Sequence, residues 1–317
     1  MKQFKRIYIE ITNVCNSNCS FCPKTSRKPG FMGLDLFKKI LDEVNGYSEY
    51  LYFHVMGEPL LHPDMGAFLD LCGEKGFKVN ITTNGTRIKE TKKVLLSKPA
   101  IRAINFSLHI FDENTPENVI DEYLDETFRF ITGSGEAPGF IACFRLWNMK
   151  TQNTSDHAQK AQGTGRNSYI LERIEKFFEV PRRIEEIPSE GNGIKLRDNI
   201  YVSQRPVFDW PDKGIPDLSE DGFCLGLRQQ AAILVDGTVV PCCLDSEGTI
   251  DLGNINGSGF KQIIEGKRAR DLYRGFSERK AVEALCRKCG YRKRFDQKGP
   301  APGDPLRQTS HEQIGML

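Results

Sequence analysis

Along its first two-thirds the chain repeats one unit: a short apolar run rich in β-branched and aromatic residues, then a longer amphipathic stretch. "RIYIEIT" (6–12), "YLYFHVM" (50–56), "KVNITTN" (78–84), "AINFSLH" (103–109) and "FIACFRLW" (140–147) read as strands. Several are nearly continuous in apolar residues, as strands covered on both faces are. Between them, "LDLFKKILDEV", "MGAFLDLCGEKG" and "NVIDEYLDETFRFIT" space their apolar residues at helical intervals. In "YILERIEKFFEV", Ile170, Leu171, Ile174, Phe177 and Phe178 share one helix face. A sixth strand is expected within "RRIEEIPSEGNGIKL" (182–196). This rhythm predicts an α/β fold, a parallel sheet with helices packed outside it. Six such units are too few for a closed eight-stranded barrel and predict a partial (β/α)6 barrel over residues 1–200. In such a barrel the functional groups collect at the carboxyl ends of the strands.

The pattern then breaks. The loop "KTQNTSDHAQKAQGTGRNS" (150–168) is polar and aperiodic, and reads as a flexible excursion that orders over a substrate. A Pro-, Asp- and Gly-rich stretch marks a linker at 201–222. A small cysteine-rich domain follows at 223–296, opening with a hairpin whose turn is the "DG" of Asp236 and Gly237 and continuing through short helices. Residues 297–317 have little to bury and read as a flexible tail.

Charge and composition narrow the function. A formal net charge of +2 over 317 residues argues against a broad nucleic-acid footprint. No apolar run is long enough to span a bilayer, and the amino terminus runs from basic residues straight into a strand pattern, so a cytoplasmic, non-membrane protein is expected. In that compartment ten cysteines point to metal rather than disulfides, because most fall in two sets. Cys72 and Cys143 stand apart within apolar surroundings and read as buried small hydrophobes.

The first set, Cys15, Cys19 and Cys22 in "CNSNCSFC", follows the first strand directly. Three thiolates with no nearby fourth would leave one iron of a 4Fe-4S cluster open to an external ligand. Zinc is the alternative, although a structural zinc site takes a fourth ligand and no His lies close by in sequence. The C-x3-C-x2-C spacing, with Phe21 before the last cysteine, resembles the signature of radical S-adenosylmethionine (radical SAM) enzymes. "MGEP" (Met56 to Pro59) resembles that family's GGEP motif, with Met56 in place of the first Gly, and "ITTNG" matches the family's third strand. The resemblance implies that Cys15, Cys19 and Cys22 hold a 4Fe-4S cluster. It assigns Gly57, Glu58 and Pro59 to the methionyl end of S-adenosyl-L-methionine, and Ser107 and Arg145 to its carboxylate or ribose. Phe21 would pack near the adenine or shield the cluster. The implied chemistry is reductive cleavage to a 5'-deoxyadenosyl radical that abstracts hydrogen from a substrate, with electrons from a low-potential donor such as flavodoxin or ferredoxin.

The second set, Cys224, Cys242, Cys286 and Cys289, resembles the first half of a SPASM pattern, shortened as in twitch domains. Its spacing is similar to that of 2-deoxy-scyllo-inosamine dehydrogenases, which oxidise an aminocyclitol carbinol. The resemblance implies a second, auxiliary 4Fe-4S cluster; a zinc ribbon is the alternative, and Cys243 is an extra cysteine. The cluster would take the electron left on a substrate radical, making the reaction a two-electron oxidation, or would simply hold the domain together. His54, His109 and Arg145 are candidate bases by position, with Asp209 and Trp210 in the linker as further neighbours of the site. A small polar metabolite is the expected substrate, because the first strand leaves no room ahead of it for a recognition domain. A peptide-modifying enzyme is the alternative. The basic, aromatic "RKCGYRKRF" raises a cluster-bearing nucleic-acid binder as a lesser reading.

Overall fold

The computed structural model describes residues 4–133, 139–149, 166–187, 193–212 and 214–295. The expected excursion at 150–168 lies outside these except for its last three residues, and the expected tail at 297–317 lies wholly outside them. The described chain is mixed α/β with a mainly parallel sheet and forms two compact units. One contains residues 4–16, 23–79 and 208–295; the other contains 17–22 and 80–207.

In the first unit β1 (Arg6–Ile9) pairs in parallel with β2 (Tyr50–Phe53) on one side. On its other side lies the strand Gln230–Ile233, also parallel, which forms an antiparallel hairpin with Val239–Val240. Helices α1 (Leu34–Val44) and α2 (Met65–Glu74) cover one face: Phe37 of α1 lies flat on Phe68 of α2, centroids 3.9 Å apart, and meets Phe53 edge-on. Alternation along β1 explains the division of labour. Ile7, Ile9 and Ile11 are buried on one side, while Arg6, Tyr8 and Glu10 occupy the other. All three polar residues are buried as well, at 3%, 3% and 0% exposure, so this second face is a polar interior rather than a solvated one.

The second unit carries β3 (Lys78–Thr83), which the chain enters at Asn80, then α3 (Ile88–Leu96), β4 (Ile101–Ser107), α4 (Glu117–Thr132) and β5 (Ile141–Met149). After α5 (Asn167–Phe178) come β6 (Ile194–Arg197) and β7 (Ile200–Pro206), and the strand order is β3-β4-β5-β7-β6. Phe144 anchors the helix side of β5 among Phe106, Phe128 and Phe178, with centroids 5.7 to 6.2 Å away. Cys143, Arg145 and Trp147 alternate with it on the other face.

A sixth strand begins within the stretch 182–196 as expected, β6 (Ile194–Arg197), but it is an antiparallel edge strand, and the parallel partner of β5 is the following strand β7. Residues 201–206 of the expected linker are therefore strand, paired with β5 from Ala142↔Ile200 to Met149↔Pro206. Within the first unit, the first strand of the cysteine-rich segment extends the sheet beside β1. We number that strand β8 (Gln230–Ile233) and its partner β9 (Val239–Val240). The "DG" turn between them is confirmed, with Gly237 at φ +90°. Helices α6 (Phe260–Ile264), α7 (Lys267–Ser277) and α8 (Ala284–Arg287) complete the segment. Among the described residues no helix is long and apolar enough to cross a membrane.

Candidate functional site

The chain leaves β1 into the cysteine loop. Cys15 is exposed, and Cys19 and Cys22 are half-buried, joined by a turn in which Cys22 N–H donates to Cys19 O at 3.3 Å. Ser17 of this loop accepts a 3.0 Å hydrogen bond from Asn84 Nδ2, so the "ITTNG" segment that ends β3 positions it. Phe21 packs on the His109 ring at 4.6 Å. Burial pushes the His109 imidazole down to about 4, with the nearby Arg145 guanidinium adding to it, so the ring is neutral at pH 7.

The 56–59 loop lies against the backbone just beyond β1. Glu58 N–H donates to Val14 O at 2.8 Å. Gly57 sits at φ +77°, and a Cβ there would lie 2.4 Å from Thr12 O, so only glycine permits the approach. The Glu58 carboxylate, 1% exposed, accepts from Leu60 N at 2.9 Å and caps the short turn Pro59–Leu61. Ser107 and Arg145 sit opposite each other in the β4–β5 register. Arg145 is 2% exposed, lies 4.6 Å from the Trp147 ring and reaches Thr82 Oγ1 at 3.4 Å.

In the other cysteine set, burial raises the Cys242 thiol well above its ordinary value, and the neighbouring Cys243, Cys224, Cys289 and Cys286 push it further. Cys286 is raised by burial and then by Cys224 and Cys289. Cys289 is pushed up to about 12 by burial and Cys224, against opposing hydrogen bonds from the Arg292 and Tyr291 backbones. Among the described residues no three His, Cys, Asp or Glu side chains form a group that could hold a single metal ion. The grouping of these four cysteines rests instead on their mutual electrostatics, which reach further than coordination geometry. Four half-buried thiols within electrostatic reach of one another can ionise together only with positive charge among them, as iron bound to thiolates provides. The donor set fits such a group. Cys72 and Cys143 are fully buried, as expected of small hydrophobes.

The His54 ring meets Tyr8 edge-on at 5.0 Å. Asp209 O accepts Gly290 N–H at 3.0 Å, and Trp210 packs on Phe208, which meets Tyr291 at 5.0 Å. They buttress the turn after Cys289.

Sequence reasoning missed Glu10 and Arg27. Glu10 is a buried carboxylate just beyond β1, and Arg27 meets it at 2.6 Å. The only signal was the polar alternation of Arg6, Tyr8 and Glu10. It also missed Tyr8 as a neighbour of Cys243, to whose thiol it hydrogen-bonds.

Two family models match the chain. Residues 9–158 match the Radical SAM superfamily and residues 224–290 the SPASM iron-sulfur cluster-binding domain. A tungsten-containing aldehyde ferredoxin oxidoreductase cofactor-modifying protein of Pyrococcus furiosus is 35% identical over 37% of this chain and 33% of its own. The S-adenosyl-L-methionine-dependent 2-deoxy-scyllo-inosamine dehydrogenase of Niallia circulans is 26% identical over 38% of this chain and 51% of its own. The chain thus spans between a third and about half of the length of these relatives. The crystal structure of BtrN with AdoMet and 2-DOIA superposes with a TM-score of 0.56 at 16% identity, covering 91% of this chain and 94% of that one. Streptococcus suis SuiB bound to its precursor peptide SuiA gives 0.56 at 16%, covering 92% and 71%. Residues 9–158 are therefore a domain of the radical SAM superfamily, with a 4Fe-4S cluster and S-adenosylmethionine as its cofactors, and residues 224–290 are a SPASM domain that binds further iron-sulfur.

Proposed function

We propose that this radical SAM enzyme catalyses a two-electron oxidation of a small polar metabolite and passes the second electron to an auxiliary 4Fe-4S cluster held by Cys224, Cys242, Cys286 and Cys289. Cys15, Cys19 and Cys22 would hold the first cluster at the mouth of a partial (β/α)6 barrel. When bound, that cluster and S-adenosylmethionine supply a 5'-deoxyadenosyl radical that removes hydrogen from the substrate. The remaining tasks fall to the chain. Gly57 lets the 56–59 backbone approach the methionyl end, Glu58 and Pro59 fix the turn that presents it, and Phe21 screens the site against the neutral ring of His109. Ser107 and Arg145 offer a hydroxyl and a fixed positive charge for a carboxylate or ribose.

The observation that carries the reading is the half-buried gathering of Cys224, Cys242, Cys286 and Cys289, in which Cys242 lies within electrostatic reach of the other three. Four protein sulfurs satisfy a 4Fe-4S cluster completely, leaving no iron open for substrate and electron transfer as its chemistry. Hydrogen bonds from the Tyr291 and Arg292 backbones to Cys289 favour the reduced state, since they stabilise added negative charge.

The test is iron and sulfide content with Mössbauer spectra of anaerobically reconstituted wild type, Cys19→Ala and Cys286→Ala. Cys19→Ala should lose the first cluster and all 5'-deoxyadenosine formation. Cys286→Ala should keep both, yet yield no oxidised product when candidate sugar and cyclitol alcohols are screened. A Cys19→Ala protein that still makes 5'-deoxyadenosine refutes the site. Zinc in place of the auxiliary iron refutes the electron-acceptor role.

A further inference from the structure

Glu10 is fully buried, and both of its oxygens are engaged twice. Arg27 holds it in a fork, Nη1 to Oε2 at 2.8 Å and Nη2 to Oε1 at 2.6 Å. Oε1 also accepts the Met56 N–H at 3.2 Å, and Oε2 the Val235 N–H at 3.0 Å. Met56 opens the 56–59 loop, and Val235 lies in the β8–β9 turn ahead of Cys242. Arg27 reaches beyond Cys243 as well, its Nε donating to Ser246 O at 2.7 Å. Next to it, Ser26 N and Oγ donate to the Glu247 carboxylate, the hydroxyl at 2.5 Å. The Cys242–Cys243 segment is thus gripped before and after its cysteines by the same pair that anchors the 56–59 loop.

A carboxylate is planar and rigid, so its two oxygens cannot follow two loops independently. A shift of the Val235 turn or of Ser246 turns the Glu10–Arg27 fork, and the turned fork displaces the hydrogen bond that places Met56 N. We propose that Glu10 and Arg27 form a positioning pair coupling the auxiliary-cluster segment to the S-adenosylmethionine loop, so that filling the auxiliary site tightens S-adenosylmethionine binding. By linkage, bound S-adenosylmethionine stabilises the filled auxiliary segment to the same degree. The proposal rests on assigning residues 57–59 to S-adenosylmethionine.

The test reads S-adenosylmethionine affinity from the change it induces in the electron paramagnetic resonance spectrum of the reduced first cluster. Wild type, Glu10→Gln, Cys286→Ala and the double variant are compared. Glutamine keeps the shape but replaces one accepting oxygen by a donor that opposes both Arg27 and a backbone N–H. Each single variant should weaken affinity about tenfold, within the usual span of coupling between sites. The double variant should be no weaker than either alone, because both cut the same connection. Losses that multiply, or wild-type affinity in Glu10→Gln, overturn the proposal. If Glu10→Gln does not fold, Arg27→Lys takes its place, keeping the charge and losing the fork. Gly57→Ala separates the layers: wild-type affinity in that variant would refute the loop assignment itself, whereas lost affinity there with an uncoupled Glu10→Gln would refute only the coupling.

Discussion

Gly57 and Gly76 share one backbone conformation, φ +77°, in different surroundings, and so provide a matched pair of perturbations. At Gly76 a Cβ would meet nothing within 4 Å. Gly76→Ala then carries only the left-handed conformational penalty, about 1–2 kcal/mol. At Gly57 the same methyl would lie 2.4 Å from Thr12 O and 2.9 Å from the Asn13 Cα and carbonyl carbon, all of them backbone atoms that no rotamer change can move. The 56–59 loop would have to retreat by roughly 1 Å to regain ordinary contact. That retreat stretches the Glu58 N–H to Val14 O hydrogen bond, now 2.8 Å, beyond bonding range. Overpacking of about 1–3 kcal/mol and a lost hydrogen bond of about 1 kcal/mol add to the conformational penalty. Gly57→Ala should thus be destabilised by about 3–6 kcal/mol. At roughly 2–4 °C per kcal/mol, anaerobic thermal melts should separate the two variants clearly, and only Gly57→Ala should lose S-adenosylmethionine binding. Coincident melting curves would refute the close approach of loop and strand end on which the site depends.

Two further outcomes follow from the second unit. The folded His109 pKa lies below its ordinary 6.5, so its neutral form stabilises the fold fully above pH 6.5 and progressively less as pH falls toward about 4. The loss is at most about 3 kcal/mol. Denaturant titrations should therefore show the stability gap between wild type and His109→Asn closing across that window, and a constant gap would contradict the assignment. Phe144 has no exposed surface and three aromatic neighbours on the helix side of β5. Phe144→Ala should lose about 3–5 kcal/mol in urea unfolding, and a loss near zero would contradict the packing.

The parallel strands were legible because strands covered on both faces leave runs such as "YLYF" and "ITT" that nothing else in the chain imitates. β7 was not legible for the converse reason. One face of its neighbour β5 carries Cys143, Arg145 and Trp147, so β7 answers with Tyr201, Ser203 and Arg205, and Pro206 ends it. Polar residues in alternation before a proline read as linker when the inner face is itself polar. The two cysteine sets stand out in the sequence by their clustering and by the family resemblance that their spacing carries, and their ligand roles belong to the proposal above. Glu10 and Arg27 were not, since no rule of spacing joins residue 10 to residues 56, 235 and 246; only the folded carboxylate does. The contacts of Asp209 and Trp210 with the segment after Cys289 were not legible, because a linker's composition does not say which neighbours it packs on.

Arg292 carries a consequence of another kind. Only 3% exposed, it donates to three backbone carbonyls: Cys286 O at 3.1 Å, Asp221 O at 2.6 Å and Ser219 O at 2.7 Å. These bonds involve no sulfur and no metal, so the polypeptide itself stores the shape of the Cys286–Cys289 knuckle. If Cys286 and Cys289 hold the proposed cluster, a chain stripped of its iron by oxygen would keep the mould for a new one, and repair would be reassembly of the inorganic part rather than refolding of the protein.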